Sequence, residues 1–171
     1  MKTEKLRSVQ APLKSRYRED PDSALVTLRA DGRLDSDAVS CSVDTGRALV
    51  AAGLHPASGG DGALACSGDM LLQALVACAG VTLRSVAVNR GLQIDGGRVT
   101  AEGDLDFRGT MGVLRDAPVG FRSIRLRFEL QGEVSDEELD ALIQATERYC
   151  VVYQTLANVV PVSSSHTLAG A

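Results

Sequence analysis

The sequence predicts an α+β fold, and three observations carry that prediction. Ser67 to Gly91 reads as one long helix, apolar on nearly every face. Arg98 to Gly109 and Phe121 to Gln131 alternate apolar and polar residues with the period of two that marks half-exposed antiparallel strands. Ser135-Asp-Glu-Glu138 is a capping box ahead of an amphipathic helix.

The 171 residues suit one compact domain spanning 1–171, with an N-terminal arm over 1–20 and a tail over 163–171, and they are enough to bury a core without staples. Tryptophan is absent and aromatic residues make up only 4%, so the core must be built from Leu, Val, Ala and Ile. A net charge of −4 leaves no cationic excess to neutralise phosphates, which argues against nucleic acid as a partner. The first twenty residues hold no apolar run of the signal-peptide kind. The longest uncharged apolar run, Met70 to Leu83, is shorter than the ~18–20 residues of a membrane span. A soluble, cytoplasmic protein is expected. Cys41, Cys66, Cys78 and Cys150 are then free, catalytic or redox-active thiols rather than a disulfide framework. With no CxxC pair, and with His55 and His166 remote from any cysteine pair, no metal site is expected.

Taken in order, residues 1–20 are charged and mixed and read as an extended arm. Ala24 to Ala30 alternates and reads as a strand, with Asp31-Gly32 as the turn after it. Asp37 to Asp44 alternates again and puts Cys41 on the apolar face as a small core residue. Arg47 to Gly53 reads as a third strand. Residues 55–66 are rich in glycine and small side chains, a loop in which His55 is solvated or bonded to backbone.

The long helix has clear ends. Ser67 suits the N-cap, Asp69 puts negative charge in the first turn, and Arg90-Gly91 supplies a cation in the last turn and a left-handed C′ residue. It spans roughly 22 residues and about 33 Å. A helix apolar all round must be covered on all sides. Gly80 weakens its interior by about 1 kcal/mol relative to Ala, and close approach of another backbone to a small face of Ala77, Gly80 and Ser85 is the expected compensation. After the two strands, Thr110 to Gly120 is apolar for a surface loop and is expected to cover something. The capped helix carries Leu139, Leu142, Ile143 and Thr146 on one face and ends near Tyr149, and a short helix follows. If Cys150 starts that helix, its thiolate is favoured by the free amides there. Residues 159–171 read as a last short strand and a tail.

Helix geometry excludes a bond between Cys66 and Cys78, which stand twelve residues and about 18 Å apart on an intact helix. Cys66, just before the helix N-terminus, is the better nucleophile on simple electrostatics. Cys78, mid-helix, has its thiol pKa raised by desolvation unless a cation sits beside it, and otherwise reads as a packed small residue. Spacing alone leaves both open.

Three separated segments resemble one family. DMLLQALVACAGVTLRSVA resembles the central helix of the OsmC/Ohr proteins, in which an acidic residue and a run of Leu and Ala precede a cysteine. GDLDFRGTMGVLRDAPVGFRSIRLRFELQG is similar to the family's strand, irregular turn and strand, and ERYCVVYQTLA to its second-cysteine segment, usually Cys-Pro-Val followed by Thr-Leu. Order and spacing agree over roughly residues 67–157. The resemblance implies an OsmC-like fold in which antiparallel sheets wrap long central helices in an intertwined homodimer. It also implies thiol-dependent reduction of organic hydroperoxides without a cofactor. Cys78 would be the peroxidatic thiol and Cys150 the resolving one, with an external dithiol, a lipoyl group in the family, as reductant. The family's thiolate-stabilising arginine comes from its N-terminal portion, so Arg16 and Arg18 are the candidates. Asp69 stands for the carboxylate that holds it, acting through the arginine or toward the partner's site, because it lies about 13 Å from its own Cys78. Asp in place of the more usual Glu, and Val151 in place of the usual Pro, are departures from the pattern. A non-catalytic protein of the same fold, binding an apolar ligand or sensing oxidants, is the alternative.

Overall fold

The computed structural model describes residues 49–168 without a break, the backbone of 31–34 and 40–44, and residues 8, 10–12, 15, 19 and 20. Strands β1 (Asp31–Leu34), β2 (Ser40–Asp44), β3 (Leu49–Gly53) and β4 (Ala65–Cys66) lie side by side in that order, antiparallel except for the parallel pair β3–β4. The long helix α1 (Ser67–Arg90) leaves directly from β4. Next comes a two-stranded antiparallel sheet of β5 (Gln93–Asp104) and β6 (Ser123–Glu133), with the one-turn helix α2 (Phe107–Thr110) in the connection between them. Helices α3 (Asp136–Tyr149) and α4 (Val151–Ala157) close the order, and 159–168 carry no strand.

Several elements differ from the sequence reading for local reasons. Asp31 and Gly32 are not a turn; they pair with Asp44 and Val43 at the start of β1. The expected strand over 24–30 lies outside the described residues, and the described residues 8, 10–12, 15 and 19 of the arm are helical rather than extended. The N-cap of α1 is Cys66, one residue before the expected Ser67, because Cys66 still pairs with Gly53 and keeps an extended backbone (φ −80°, ψ 132°). At the far end Gly91 is left-handed at φ 74°, as expected, and its N–H returns to the carbonyls of Ala87 and Val88. β5 begins five residues earlier than its alternation announces, because the register shifts between Ile94 and Gly96 and breaks the pattern there. It ends at Asp104 because Asp106 caps α2 by accepting the Arg108 N–H. The 110–120 stretch leaves Met111, Val113 and Leu114 exposed and buries only Ala117 fully. The capping box of α3 forms in both directions, Ser135 Oγ taking the Glu138 N–H and Glu138 Oε2 taking the Ser135 N–H.

The core is one stripe of α1 set against β5, α3 and α4. Leu75, Ala79, Leu83 and Ala87, every fourth residue, are the buried positions of the helix. Leu83 and Ala87 meet Ile94 and Leu142; Leu75 and Ala79 meet Cys150, with Val99, Ile124, Leu126 and Phe128 packed alongside. Among the described residues the helix is therefore not covered on all sides. Leu71, Ala74, Ala77 and Val81 form an uncovered apolar face. Gly80 does not face a second helix: a methyl built there would meet Val99 Cγ2 of β5 at 3.9 Å. By length and composition α1 is the one helix among the described residues long and apolar enough to cross a bilayer, but here its buried stripe is the centre of a packed core.

Candidate active site

Two cysteines 72 positions apart in sequence meet because α1 runs under the joint between α3 and α4. Cys78 is half-buried beside Leu75 and Ala79. Cys150 is the joint itself. Its N–H donates to Thr146 O at 2.9 Å to finish α3, its carbonyl accepts from Gln154 N at 2.9 Å in α4, and its Sγ accepts from Tyr153 N at 3.5 Å. It is 0% exposed. Both thiols are free, Cys78 packs against the cluster that holds Cys150, and each acts on the other's pKa.

The pair is electrostatically asymmetric. Burial raises the Cys78 pKa, but hydrogen bonds from the Val152 N–H, the Cys150 thiol, the Thr82 hydroxyl and the Val151 N–H outweigh it and hold Cys78 below the ordinary thiol value. Burial also pushes Cys150 up. The Tyr153 N–H offsets part of this, but donating to Cys78 and lying beside its developing charge raise Cys150 further. Cys150 therefore holds its proton more tightly, and Cys78 is the more acidic thiol of the pair. Two expectations change as a result. The first turn of α4 does not make Cys150 the acidic thiol; its amides serve Cys78 as well, and burial dominates at Cys150. And among the described residues it is hydrogen-bond donors, not a cation, that bring the Cys78 pKa down.

Asp69 is exposed in the first turn of α1, and it lines two surface cavities. One, of about 410 Å³, runs past Leu72, Gln73, Val76 and Ala77 to Ala101. The other, of about 240 Å³, it shares with Cys66 and His55. Arg16 and Arg18 lie outside the described residues, as does the Cys41 side chain. Cys66 makes no side-chain cap bond at the start of α1. His55 is bonded to backbone, its Nδ1 accepting from Ala57 N at 3.0 Å, and its ring stacks on Phe107 at 5.0 Å between centroids. Among the described residues no cluster of His, Cys, Asp and Glu is arranged to hold a metal. The sequence reading missed Thr82 and the amides of Val151 and Val152. Thr82 was discoverable from spacing alone, being one helical turn beyond Cys78.

The model of the OsmC-like protein family matches residues 60–165, which cover α1, both long strands and both cysteines of the pair. The chain belongs to that family. Solved structures with the same fold include an OsmC-like protein from Mycoplasma pneumoniae, with 20% identity, 78% of this chain and 89% of that one covered, and a TM-score of 0.65. An organic hydroperoxide resistance protein from Elizabethkingia anophelis matches with 18% identity, 77% and 88% coverage and a TM-score of 0.61. An organic hydroperoxide resistance protein OsmC from Legionella pneumophila gives 18% identity, 78% and 90% coverage and a TM-score of 0.60. Comparison with curated proteins finds no match. These likenesses establish an OsmC-like α+β fold for this chain.

Proposed function

We propose that this OsmC-like protein reduces organic hydroperoxides through Cys78 and Cys150. The observation that carries the reading is the packing of two free thiols in one core cluster, a half-buried Cys78 whose pKa is lowered beside a buried Cys150 whose pKa is raised. The Cys78 thiolate attacks one peroxide oxygen, the O–O bond breaks, and the alkoxide leaves as alcohol after taking a proton, so Cys78 becomes a sulfenic acid. The Cys150 sulfur then attacks Cys78 Sγ, a disulfide forms, and the hydroxyl leaves as water. An external dithiol of the lipoyl kind supplies the two electrons and two protons that restore both thiols. Asp69 orients an arginine of the N-terminal segment, Arg16 or Arg18, toward the site of its own or a second copy. The uncovered face of α1 along Leu71, Ala74, Ala77 and Val81 supports a homodimer built on the central helices.

Stopped-flow mixing of reduced protein with cumene hydroperoxide tests the assignment. The expected result is rapid oxidation that Cys78→Ser abolishes, followed by repeated turnover when dihydrolipoamide is added. Unchanged oxidation in Cys78→Ser, with alkylation directed to Cys66, overturns it. A single round of oxidation without turnover identifies an oxidant sensor instead.

A further inference from the structure

A cavity of about 410 Å³ lies where the start of β6 passes the end of α3 and the helix α4. Leu75, Ile124, Leu126 and Tyr153 are walls that it shares with the core cluster around Cys150, but neither sulfur lines it. Phe121 and Leu156 extend the apolar lining. Two charged residues interrupt it, Arg122 just ahead of β6 and the half-buried Glu147 in the last turn of α3.

Both charges are spare among the described residues. Arg122 is near enough to act on Asp104 and Asp106, yet each of these has its own arginine, Arg125 for Asp104 and Arg108 for Asp106. The Arg122 guanidinium pairs with no carboxylate, and only its backbone N–H is engaged, donating to Asp104 O at 2.8 Å. Glu147 likewise uses only its carbonyl, which accepts from Gln154 Nε2 at 2.9 Å, while the adjacent Arg148 guanidinium lies 5.7 Å from the Tyr149 ring. Arg122 and Glu147 do not pair with each other either. One unpaired cation and one unpaired carboxylate thus border an apolar floor, and each has given up water without gaining a partner.

We propose that this cavity binds a small zwitterion with an apolar side chain, of the aromatic amino-acid class. Its carboxylate meets the Arg122 guanidinium, its ammonium meets the Glu147 carboxylate, and its ring lies against Leu75, Leu126, Phe121 and Tyr153. The volume falls in the range of small-molecule pockets. A simple monocarboxylate is the poorer match, because it leaves Glu147 unmet and places like charge beside it. The site is independent of the peroxide chemistry, although it adjoins the thiol pair through Tyr153, whose N–H donates to Cys150 Sγ at 3.5 Å.

Isothermal titration calorimetry on the full, reduced chain tests this with L-phenylalanine, phenethylamine, which lacks the carboxylate, and 3-phenylpropionate, which lacks the ammonium. Phenylalanine is expected to bind wild type about tenfold more tightly than either analogue. Arg122→Gln and Glu147→Gln should each weaken phenylalanine by about tenfold. Arg122→Gln should leave phenethylamine unchanged, and Glu147→Gln should not weaken 3-phenylpropionate. No phenylalanine binding to wild type, analogues that bind as tightly as phenylalanine, or variants that bind it as wild type does overturn the proposal. Peroxide turnover without phenylalanine binding would reject this site and leave the thiol-pair reading standing; binding without turnover would do the reverse.

Discussion

Replacing Val151 with proline should make the protein more stable and its key thiol less acidic. Position 151 is the first residue of α4, where proline is favoured because its fixed φ suits a helix start and no intrahelical N–H is forfeited. The preceding residue, Cys150, sits at φ −76° and ψ 109°, close to the extended region that proline imposes on its neighbour. Val151 is 68% exposed, so exchanging its side chain removes little packing. Restricting the unfolded chain should then yield about 0.4–1 kcal/mol, or roughly 1–4 °C in Tm for a domain of this size. Proline also deletes the Val151 N–H, which acts to lower the Cys78 pKa, so the Cys78 midpoint should rise. Thermal unfolding monitored by circular dichroism reads the first effect, and pH-dependent alkylation of Cys78 the second. A fall in Tm, or a Cys78 midpoint that moves down, would refute the account of this helix start.

Three further outcomes follow from the same geometry. Leu142, 0% exposed between α1 and α3, should lose about 2–5 kcal/mol on Leu142→Ala, read as a lower urea midpoint. Gly80→Ala should gain about 0.5–1 kcal/mol by the same measurement, since the new methyl meets Val99 at an ordinary 3.9 Å and the helix loses a flexible link. For the thiols, the sign of the pH effect is opposite at the two sulfurs. Cys78, with a lowered pKa, should keep its labelling rate as pH falls below the ordinary thiol value and lose it only through its own midpoint. Cys150, with a raised pKa, should label only above that ordinary value. Faster labelling of Cys150 than Cys78 near neutral pH would contradict the polarity of the pair.

What was legible in the sequence was what neighbours along the chain decide. Arg90-Gly91 ends α1 and Ser135 with Glu138 starts α3 because caps act over three or four residues. The alternation of Val99 and Ala101, and of Ile124, Leu126 and Phe128, reports which face of each strand meets the helix. Where the chain is broken by a register shift, as between Ile94 and Gly96, the alternation stops although the strand continues. The site was only half legible. Two cysteines in matching segments pointed to the pair, but its polarity depends on which sulfur the amides of α4 reach and on how deeply Cys150 is buried, and neither leaves a pattern in sequence. The side of α1 left uncovered among the described residues was likewise invisible, because a helix apolar all round looks the same whichever of its faces is packed.

Cys150 ends one helix, starts the next and fills a gap between Leu75 and Ala79. One residue thus holds three offices, and removing it vacates all of them together. An inactive Cys150→Ala protein would report a lost reaction partner, a loosened elbow and an empty space in a single number. Serine separates them better, since its hydroxyl still accepts from the Tyr153 N–H and its bulk nearly matches. The chemistry of this sulfur and the architecture around it have to be assayed as one quantity unless the replacement is chosen to keep the second intact.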